Sequence, residues 1–372
     1  MKKVGIITFH FADNFGAVLQ TYALSKTIEK FDLEVEIIDY VPKKLRDFYN
    51  LYPNVIYAIS EYGILSTIRI LINKTYNLRR NIIRTRNFNL FRNSHFKVSK
   101  KINNLNQLKE EKFTYNYCIV GSDQVWNPKF FSKVSGTYFL NFIGPDIKKI
   151  SYAASIAQEV DKCYYNEFIK HLDSFSHISV REESAKLFLE KIIDKNIEVT
   201  LDPTLLLDSK EWNKIGRKNN IKDKYILVYD LTSSTLVIDL ANKLSLITGY
   251  KIISYTCDSN YKNWIGSFST YNPSNFLDLI ANAEFVVTNS FHGTVFSIIY
   301  KRDFYTIPHP TRGSRMIELL NKLDLNSRII KDDVDIRNSD IHNIINFYDV
   351  EKKVLELRSN SMNFLKKSLD IK

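Results

Sequence analysis

KVGIITFHFADNFGAVLQTYALSKTIEKFDLEVEIIDY, residues 3–40, decides the fold class. VGIITF is a short apolar run rich in β-formers, and HFADNFG breaks it with turn-forming residues. In AVLQTYALSKTIEKF the apolar Val18, Leu19, Tyr22, Ala23 and Ile28 mostly follow helical spacing, and VEIIDY returns to a β-rich run. Strand, helix and strand in this order predict a right-handed βαβ unit in a parallel sheet. Outward from it, NYCIVG (116–121), KISYAAS (149–155), HISV (177–180) and IEVTLDP (197–203) alternate with helical stretches such as EESAKLFLEKI (182–192), so the sheet continues to about Pro203. A second alternating series runs YILVYDL (225–231), STLVIDLANKLSL, YKIISYT (250–256), SNFLDLIANA and EFVVTNS (284–290). The expected architecture is α/β with two Rossmann-like domains: residues 1–207, interrupted by a basic helical insertion at about 45–105, and residues 208–340. Leu207–Lys224, with Trp212, is the expected crossing between them. The strongly helical end, 341–372, is expected to pack back on the first domain.

A length of 372 residues accommodates two such domains, each with a sizeable core. Apolar residues at 44% and charged residues at 25% exclude wholesale disorder. Cys118, Cys163 and Cys257 lie far apart with no C-x-x-C pair, which speaks against a disulfide framework or a thiolate zinc site and fits a reducing compartment. The start, MKKVGIITFHFADN, reads as a first strand rather than a leader, and no window is apolar for long enough to predict a membrane span. Nothing matches H-E-x-x-H, D-x-D, G-x-S-x-G or G-x-x-x-x-G-K-[ST], so no metal site, serine nucleophile or nucleoside triphosphate loop is expected.

Charge is unevenly placed. Lys and Arg number 52 against 41 Asp and Glu, a net +11, and residues 62–109 carry eleven cations and no acid, equal to the whole excess. Ile70, Leu71, Leu78, Ile82, Ile83, Phe88, Leu90 and Phe91 interleave with those cations. Such a mixture suits a basic amphipathic helix against anionic lipid, or a solvated helix face with a buried stripe. Nucleic acid is not expected, because no nucleic-acid-binding signature accompanies the charge.

Four strand-end segments carry the candidate chemistry. In HFADNFGAVLQ (10–20), Asp13 or Asn14 can cap a helix and Gly16 permits close backbone approach, so the turn serves either simple capping or an anion or sugar hydroxyl. In CIVGSDQVWNP (118–128), Ser122, Asp123 and Gln124 beside Trp126 suit carbohydrate recognition, or else a turn fixed by Asp123 with Trp126 in the core. In ISVREES (178–184), Arg181 ends a strand where it could clasp a carboxylate or phosphate, or pair with Glu182, Glu183 or another acid. In VVTNSFHGTVFSIIY (286–300), His292 is presented at a helix start between Asn289–Ser290 and Gly293–Thr294, a position for a general acid or base near an anion. Arg312, Arg315 and Arg328 add positive charge downstream, and His309, between prolines, reads as a loop residue.

Taken in order, GIITFHFADNFGAVLQTYAL, IVGSDQVWNP, ISVREESA, VTLDPTLLL and VVTNSFHGTVFSII resemble the polysaccharide pyruvyl transferase family over residues 4 to about 330. The resemblance implies a fold like the GT-B type glycosyltransferases, phosphoenolpyruvate as donor substrate with no further cofactor, and a cell-surface glycan sugar as acceptor. It implies that Arg181 and His292 serve donor binding and catalysis, with Ser290, Phe291, Gly293, Thr294 and Arg315 around the donor. Some branches carry arginine where this chain has Ser290. Asp13, Asn14, Gly16, Ser122, Asp123, Gln124 and Trp126 are expected to face the acceptor. A polyprenyl-diphosphate-linked acceptor would place the enzyme in the cytoplasm against the inner face of the membrane, held through residues 62–109. The rival expectations are a nucleotide-sugar glycosyltransferase on the same fold and a non-catalytic membrane-surface scaffold.

Overall fold

The computed structural model describes residues 1–371 apart from 44, 47–54, 132–133, 257–259 and 311–312. Cys257, Arg312 and part of the basic insertion therefore lie outside the described residues. The first sheet has six strands: β1 (Lys3–Ile7), β2 (Glu34–Ile37), β3 (Tyr117–Val120), β4 (Lys148–Ala154), β5 (His177–Val180) and β6 (Ile197–Val199). Their order is β2-β1-β3-β4-β5-β6 and every pairing is parallel. The second has five: β7 (Tyr225–Tyr229), β8 (Lys251–Ser254), β9 (Trp264–Ser267), β10 (Phe285–Thr288) and β11 (Phe304–Thr306), ordered β11-β10-β7-β8-β9 and again all parallel. The central strands β3 and β7 are buried at every position, as parallel strands covered on both faces must be. Each order reverses once, between β1 and β3 and between β7 and β10, and the crevice outside such reversals is where open α/β sheets take ligands.

The helices that bear on the site are α1 (Phe15–Glu29), α2 (Val55–Tyr62), α3 (Ile64–Tyr76), α4 (Leu78–His95), α5 (Glu183–Glu190), α6 (Pro273–Ala281), α7 (Phe291–Ile299), α8 (Ser314–Lys322) and α9 (Phe347–Ser368). The sheets are joined through an aromatic seam rather than a loose linker. Phe15, the first residue of α1, stacks on Phe276 of α6 with centroids 4.4 Å apart and also meets Phe88, Tyr229 and Phe268. Trp212 is fully buried between Tyr22 and Phe296, and its indole donates to the Thr204 carbonyl at 3.1 Å. Such aromatic contacts contribute about 0.5–1.5 kcal/mol each beyond the area they bury.

Helix α9 spans both halves. Val350 and Val354 join the seam, whereas Phe364 and Leu365, with Leu369 just beyond, pack among Val4, Ile6, Ile119 and Tyr152 of the first sheet. The Ser361 hydroxyl accepts from the Leu201 amide at 2.9 Å, and the Arg358 Nε donates to the Leu205 carbonyl at 2.6 Å.

The basic segment divides into two faces. On α4, Phe88 and Phe91 are buried in the seam. Arg84 and Arg92, on the same side of the helix, reach the β1–α1 turn: Arg92 Nη2 lies 2.8 Å from Asp13 Oδ1, Thr85 donates to Asp13 Oδ2 at 2.6 Å, and Arg84 donates to the Asp13 carbonyl. Two of the cations assigned to a lipid-facing stripe are therefore turned inward as struts. Arg79 and Arg86 remain exposed on the opposite side. No described helix is long and apolar enough to cross a membrane.

Candidate active site

Helix α7 begins where β10 ends. Ser290, with extended backbone, caps it: its hydroxyl accepts from the Gly293 amide at 3.4 Å. Gly293 must lack a side chain because a Cβ would overlap the Thr288 hydroxyl of β10. His292 follows, and its ring rests on the bare Cα of Gly16 in α1, where any Cβ would overlap Nδ1, Cε1 and Cγ. Gly16 thus acts by close approach, and what approaches is the imidazole from the other half of the molecule.

On its other edge the imidazole meets Asp202, with Nε2 3.5 Å from Oδ2. Asp202 is fully buried at the start of a 3-10 turn, Pro203–Leu206, after β6, where Oδ1 accepts from the Thr204 amide at 3.0 Å and hydroxyl at 2.6 Å. Its Oδ2 accepts from Arg181 Nη1 at 2.6 Å and from the Ser122 hydroxyl at 3.1 Å. Burial works against ionisation here, but His292, Arg181 and the Thr204 hydrogen bonds outweigh it and hold the carboxyl well below the usual carboxylate range. Sequence reading passed over Asp202. The signal was present as Asp-Pro at a strand end, a capping and turn-initiating pattern, but its chemical role comes from partners 80, 21 and 90 residues away, which no local pattern reveals.

Two guanidinium groups complete the site. Arg181, at the end of β5, lies with its Cζ 4.9 Å from the Phe291 ring centroid, and Arg315, in the first turn of α8, lies 5.4 Å from the same ring. Asp202 and Asp123 face Arg181, the latter at 3.7 Å from Nη2, so the ion-pair alternative holds with Asp202 rather than Glu182 or Glu183. Glu182 is instead occupied by the loop after β4: its Oε1 accepts from Ser155 Oγ at 2.9 Å and from the amides of Ile156 and Ala157 at 2.8 Å. Four guanidinium nitrogens, Nε and Nη2 of Arg181 and Nε and Nη1 of Arg315, are buried with no hydrogen-bond partner among the described residues. Burial first, then the nearby Arg181, pushes the Arg315 pKa down to about 10, so it stays charged at neutral pH.

A cleft of about 440 Å³ opens at the two points of sheet reversal. Three of the four expected strand-end segments contribute, Asn14 after β1, Asp123 and Gln124 after β3, and Ser290, Phe291 and His292 after β10, joined by Thr232 after β7, with Arg315 and His309 closing one side; the segment 178–184 does not line it. A smaller cavity of about 70 Å³ lies behind Phe291, between Arg181, Asp202, Arg315 and α8. Arg181 borders this inner cavity, with Arg315 and Phe291 lining both spaces.

Several expected residues lie elsewhere. The Trp126 ring is buried, stacked 5.0 Å from Phe139 with its indole donating to the Tyr138 carbonyl at 2.8 Å, so the core alternative is the one the structure adopts. Asp123 makes that turn with a left-handed backbone, φ 81°, and its carboxylate accepts from the Gln124 amide at 2.8 Å. Ser122 is fully buried and serves Asp202, not the cleft. The Thr294 hydroxyl bonds the Ser290 carbonyl at 3.3 Å and the Thr306 hydroxyl at 3.0 Å inside the sheet. Asp13 is taken by Arg92 and Thr85, and it is Asn14 that caps α1, accepting from the Ala17 amide at 3.1 Å. Arg328 is buried 3.8 Å from Asp303, apart from the cleft. His309, read as a loop residue, does line the cleft. Among the described residues no cluster of His, Cys, Asp and Glu could hold a metal ion.

Two parallel sheets meeting over one cleft define an α/β protein with two Rossmann-like domains, the arrangement of GT-B type enzymes. The chain superposes on the S. aureus MnaA–UDP co-structure with a TM-score of 0.51 at 11% identity, covering 100% of this chain and 98% of that one. It superposes on UDP-GlcNAc 2-epimerase from Methanocaldococcus jannaschii with a TM-score of 0.50 at 13% identity, covering 96% and 100%. No curated protein matches the sequence. The family model of the polysaccharide pyruvyl transferases matches residues 14–310, and the chain belongs to that family.

Proposed function

We propose that this transferase moves the enolpyruvyl group of phosphoenolpyruvate onto a sugar of a cell-surface polysaccharide, or of its lipid-linked precursor, closing a pyruvate ketal and releasing phosphate. The observation that carries the reading is the set of four buried guanidinium N–H sites without acceptors beside His292. Asp123, Glu182 and Asp202 supply enough negative charge to bury two arginines, yet leave these donors unmade, and a buried unmade donor costs about 1–3 kcal/mol until something accepts from it. A donor bearing a phosphate and a carboxylate presents several acceptors in one small molecule, and guanidinium pairs with either group bidentately.

Ketal formation needs two events. One acceptor hydroxyl adds to C2 of the enol as C3 gains a proton, and a second hydroxyl then displaces phosphate from C2. His292 is the proton-transfer group in this reading. Its Nε2 edge faces Asp202, which favours a proton there, leaving Nδ1, the edge over Gly16, to exchange protons with the reactants. Arg181 and Arg315 hold the departing phosphate and the carboxylate. Asn14, Asp123 and Gln124, across the cleft, orient the acceptor hydroxyls. An acceptor carried on polyprenyl diphosphate would bring the enzyme to the inner face of the cytoplasmic membrane, where the exposed cations of residues 62–109 meet anionic headgroups.

The test is a thermal-shift titration of the whole chain with phosphoenolpyruvate, inorganic phosphate and a panel of nucleotide sugars, with Arg315→Ala and Arg181→Ala alongside. Phosphoenolpyruvate at a hundredfold excess over its Kd should stabilise the wild type by about 2.7 kcal/mol, and the effect should fall to about half or less in the variants. Stabilisation by a nucleotide sugar with none by phosphoenolpyruvate would replace this reading with a nucleotide-sugar glycosyltransferase.

A further inference from the structure

Helix α3 places Ile64, Ile68, Ile72 and Tyr76 four residues apart, so they form one stripe, and Leu65 lies beside it. All five face solvent, Leu65 at 77% and Tyr76 at 88% exposure. The other side carries Thr67, which is buried, and the half-buried Ile70, with Leu71 half-buried at the edge of the stripe, so the helix has already turned one face to the protein and keeps a second in solvent. Exposed Ile56 and Ile59 of α2 and Ile82 and Ile83 of α4 extend the surface. Apolar side chains held in water on neighbouring helices in this number mark an interaction surface. Exposed cations border it: Arg69 on α3, and Arg79 and Arg86 on the outward side of α4. Residues 62–109 contain no acid.

That charge pattern selects the occupant. A two-fold dimer through this face would oppose the same cations to one another with Glu61 the one acid in the sequence of α2, α3 and α4 to set against them, which disfavours a second copy. A bilayer with anionic headgroups satisfies both features at once, taking the apolar stripe among its acyl chains and the arginines at its headgroups. Position agrees: the inward side of α4 is tied through Arg84 and Arg92 to Asp13, next to the cleft residue Asn14, and Leu45, which precedes α2, itself lines the cleft.

We infer that α3, with α2 and the outward face of α4, is an insertion surface that sinks its apolar stripe into an anionic bilayer and thereby sets the rim of the cleft at the membrane. This rests on the reading above that the acceptor arrives on a membrane lipid, and it changes the kind of attachment expected: the stripe, not charge alone, holds the protein.

Flotation of the full chain with phosphatidylcholine vesicles, with and without phosphatidylglycerol, tests it. Wild type should float with the anionic vesicles and remain partly bound at high salt, because the apolar contribution is not screened. Leu65→Glu/Ile68→Glu should bind about tenfold or more weakly, whereas Arg79→Glu/Arg86→Glu should lose the preference for anionic vesicles. Leu65→Trp should show blue-shifted emission and quenching by brominated acyl chains. Wild-type flotation of Leu65→Glu/Ile68→Glu would overturn the inference, as would sedimentation showing a dimer that this double substitution dissolves. The thermal shift with phosphoenolpyruvate, run without vesicles, separates the two readings: the Glu variants should keep it. A wild type that floats but ignores phosphoenolpyruvate would sink the transferase reading and leave the surface standing, and the reverse result would do the opposite.

Discussion

The turn after β1 and the turn after β10 look alike: each joins a buried parallel strand to a helix, carries a capping Asn or Ser and a glycine, and sits at a sheet reversal. Their polar groups have opposite fates. In the first, the Asp13 carboxylate is filled by Arg92 and Thr85, the Asn14 side chain by the Ala17 amide, and Phe15 is buried in the seam. Around the second, Nε and Nη2 of Arg181 and Nε and Nη1 of Arg315 are buried with no hydrogen-bond partner among the described residues, and His292 Nε2 has only the 3.5 Å approach of Asp202. The difference teaches that sharing a sheet edge is not enough to mark chemistry, and that unpartnered buried donors of residues lining a cavity mark it better; Arg328, also unpartnered at Nε and Nη1 among the described residues, borders neither the cleft nor the inner cavity. Structure that is complete without a ligand has no reason to leave donors unpaired.

Substitutions can break this contrast, starting with the largest effect. His292→Gln should lower the rate of phosphate release from phosphoenolpyruvate and acceptor by about 10²–10⁴ with an unchanged melting temperature. Normal turnover in that folded variant would remove the histidine from the mechanism. Arg315→Ala should weaken phosphoenolpyruvate binding about ten- to hundredfold, measured by titration calorimetry, without loss of stability, since a buried cation with unmade bonds costs the fold rather than supporting it. Gly16→Ala, in the other turn, should push the imidazole aside and cut turnover about tenfold or more while donor binding persists, because the turns touch through that ring. Asp13→Ala should do the converse of Arg315→Ala, lowering stability in urea by about 1.5–3 kcal/mol and leaving donor binding intact.

The smallest effect is on pH dependence. The Asp202 carboxyl is depressed in the folded state, so it contributes stability that is fully present above its unfolded pKa of about 3.8 and is lost as pH falls through the folded value. Wild type should therefore lose stability below about pH 4, and Asp202→Asn should flatten that limb of the curve while being less stable at neutral pH. An unchanged acid limb in the variant would show that the pairing with His292 and Arg181 does not hold the carboxyl ionised.

Much of the fold was legible because it is written locally. Continuous apolar runs gave the central strands, and helical spacing gave α1 and α6 within a few residues. The strands β9 and β11 went unread: the first carries exposed Trp264 and Ile265, and the second, although buried throughout, has only three residues, too few to show a pattern. At the site, His292, Arg181 and Arg315 could be named because charged groups at strand ends and helix starts stand out against an apolar background. Asp202 could not, nor could the capture of Asp13 by α4, since both depend on contacts between segments far apart in the chain. Trp126 was equivocal for a different reason: an indole has the same sequence signature whether it stacks on a sugar or on Phe139.

The path of α9 bears on how the molecule comes to be assembled. Residues 364–369 cover part of the first sheet beside Val4, Ile6 and Ile119, so that sheet emerges during synthesis with an apolar patch beside α1 that α9 does not yet cover. The second domain is translated before its cover arrives, and at about 5–20 residues per second the gap lasts tens of seconds. Shortening the chain before Phe364 should strand the first domain in a sticky, partly folded state, even though every residue lining the cleft would still be present.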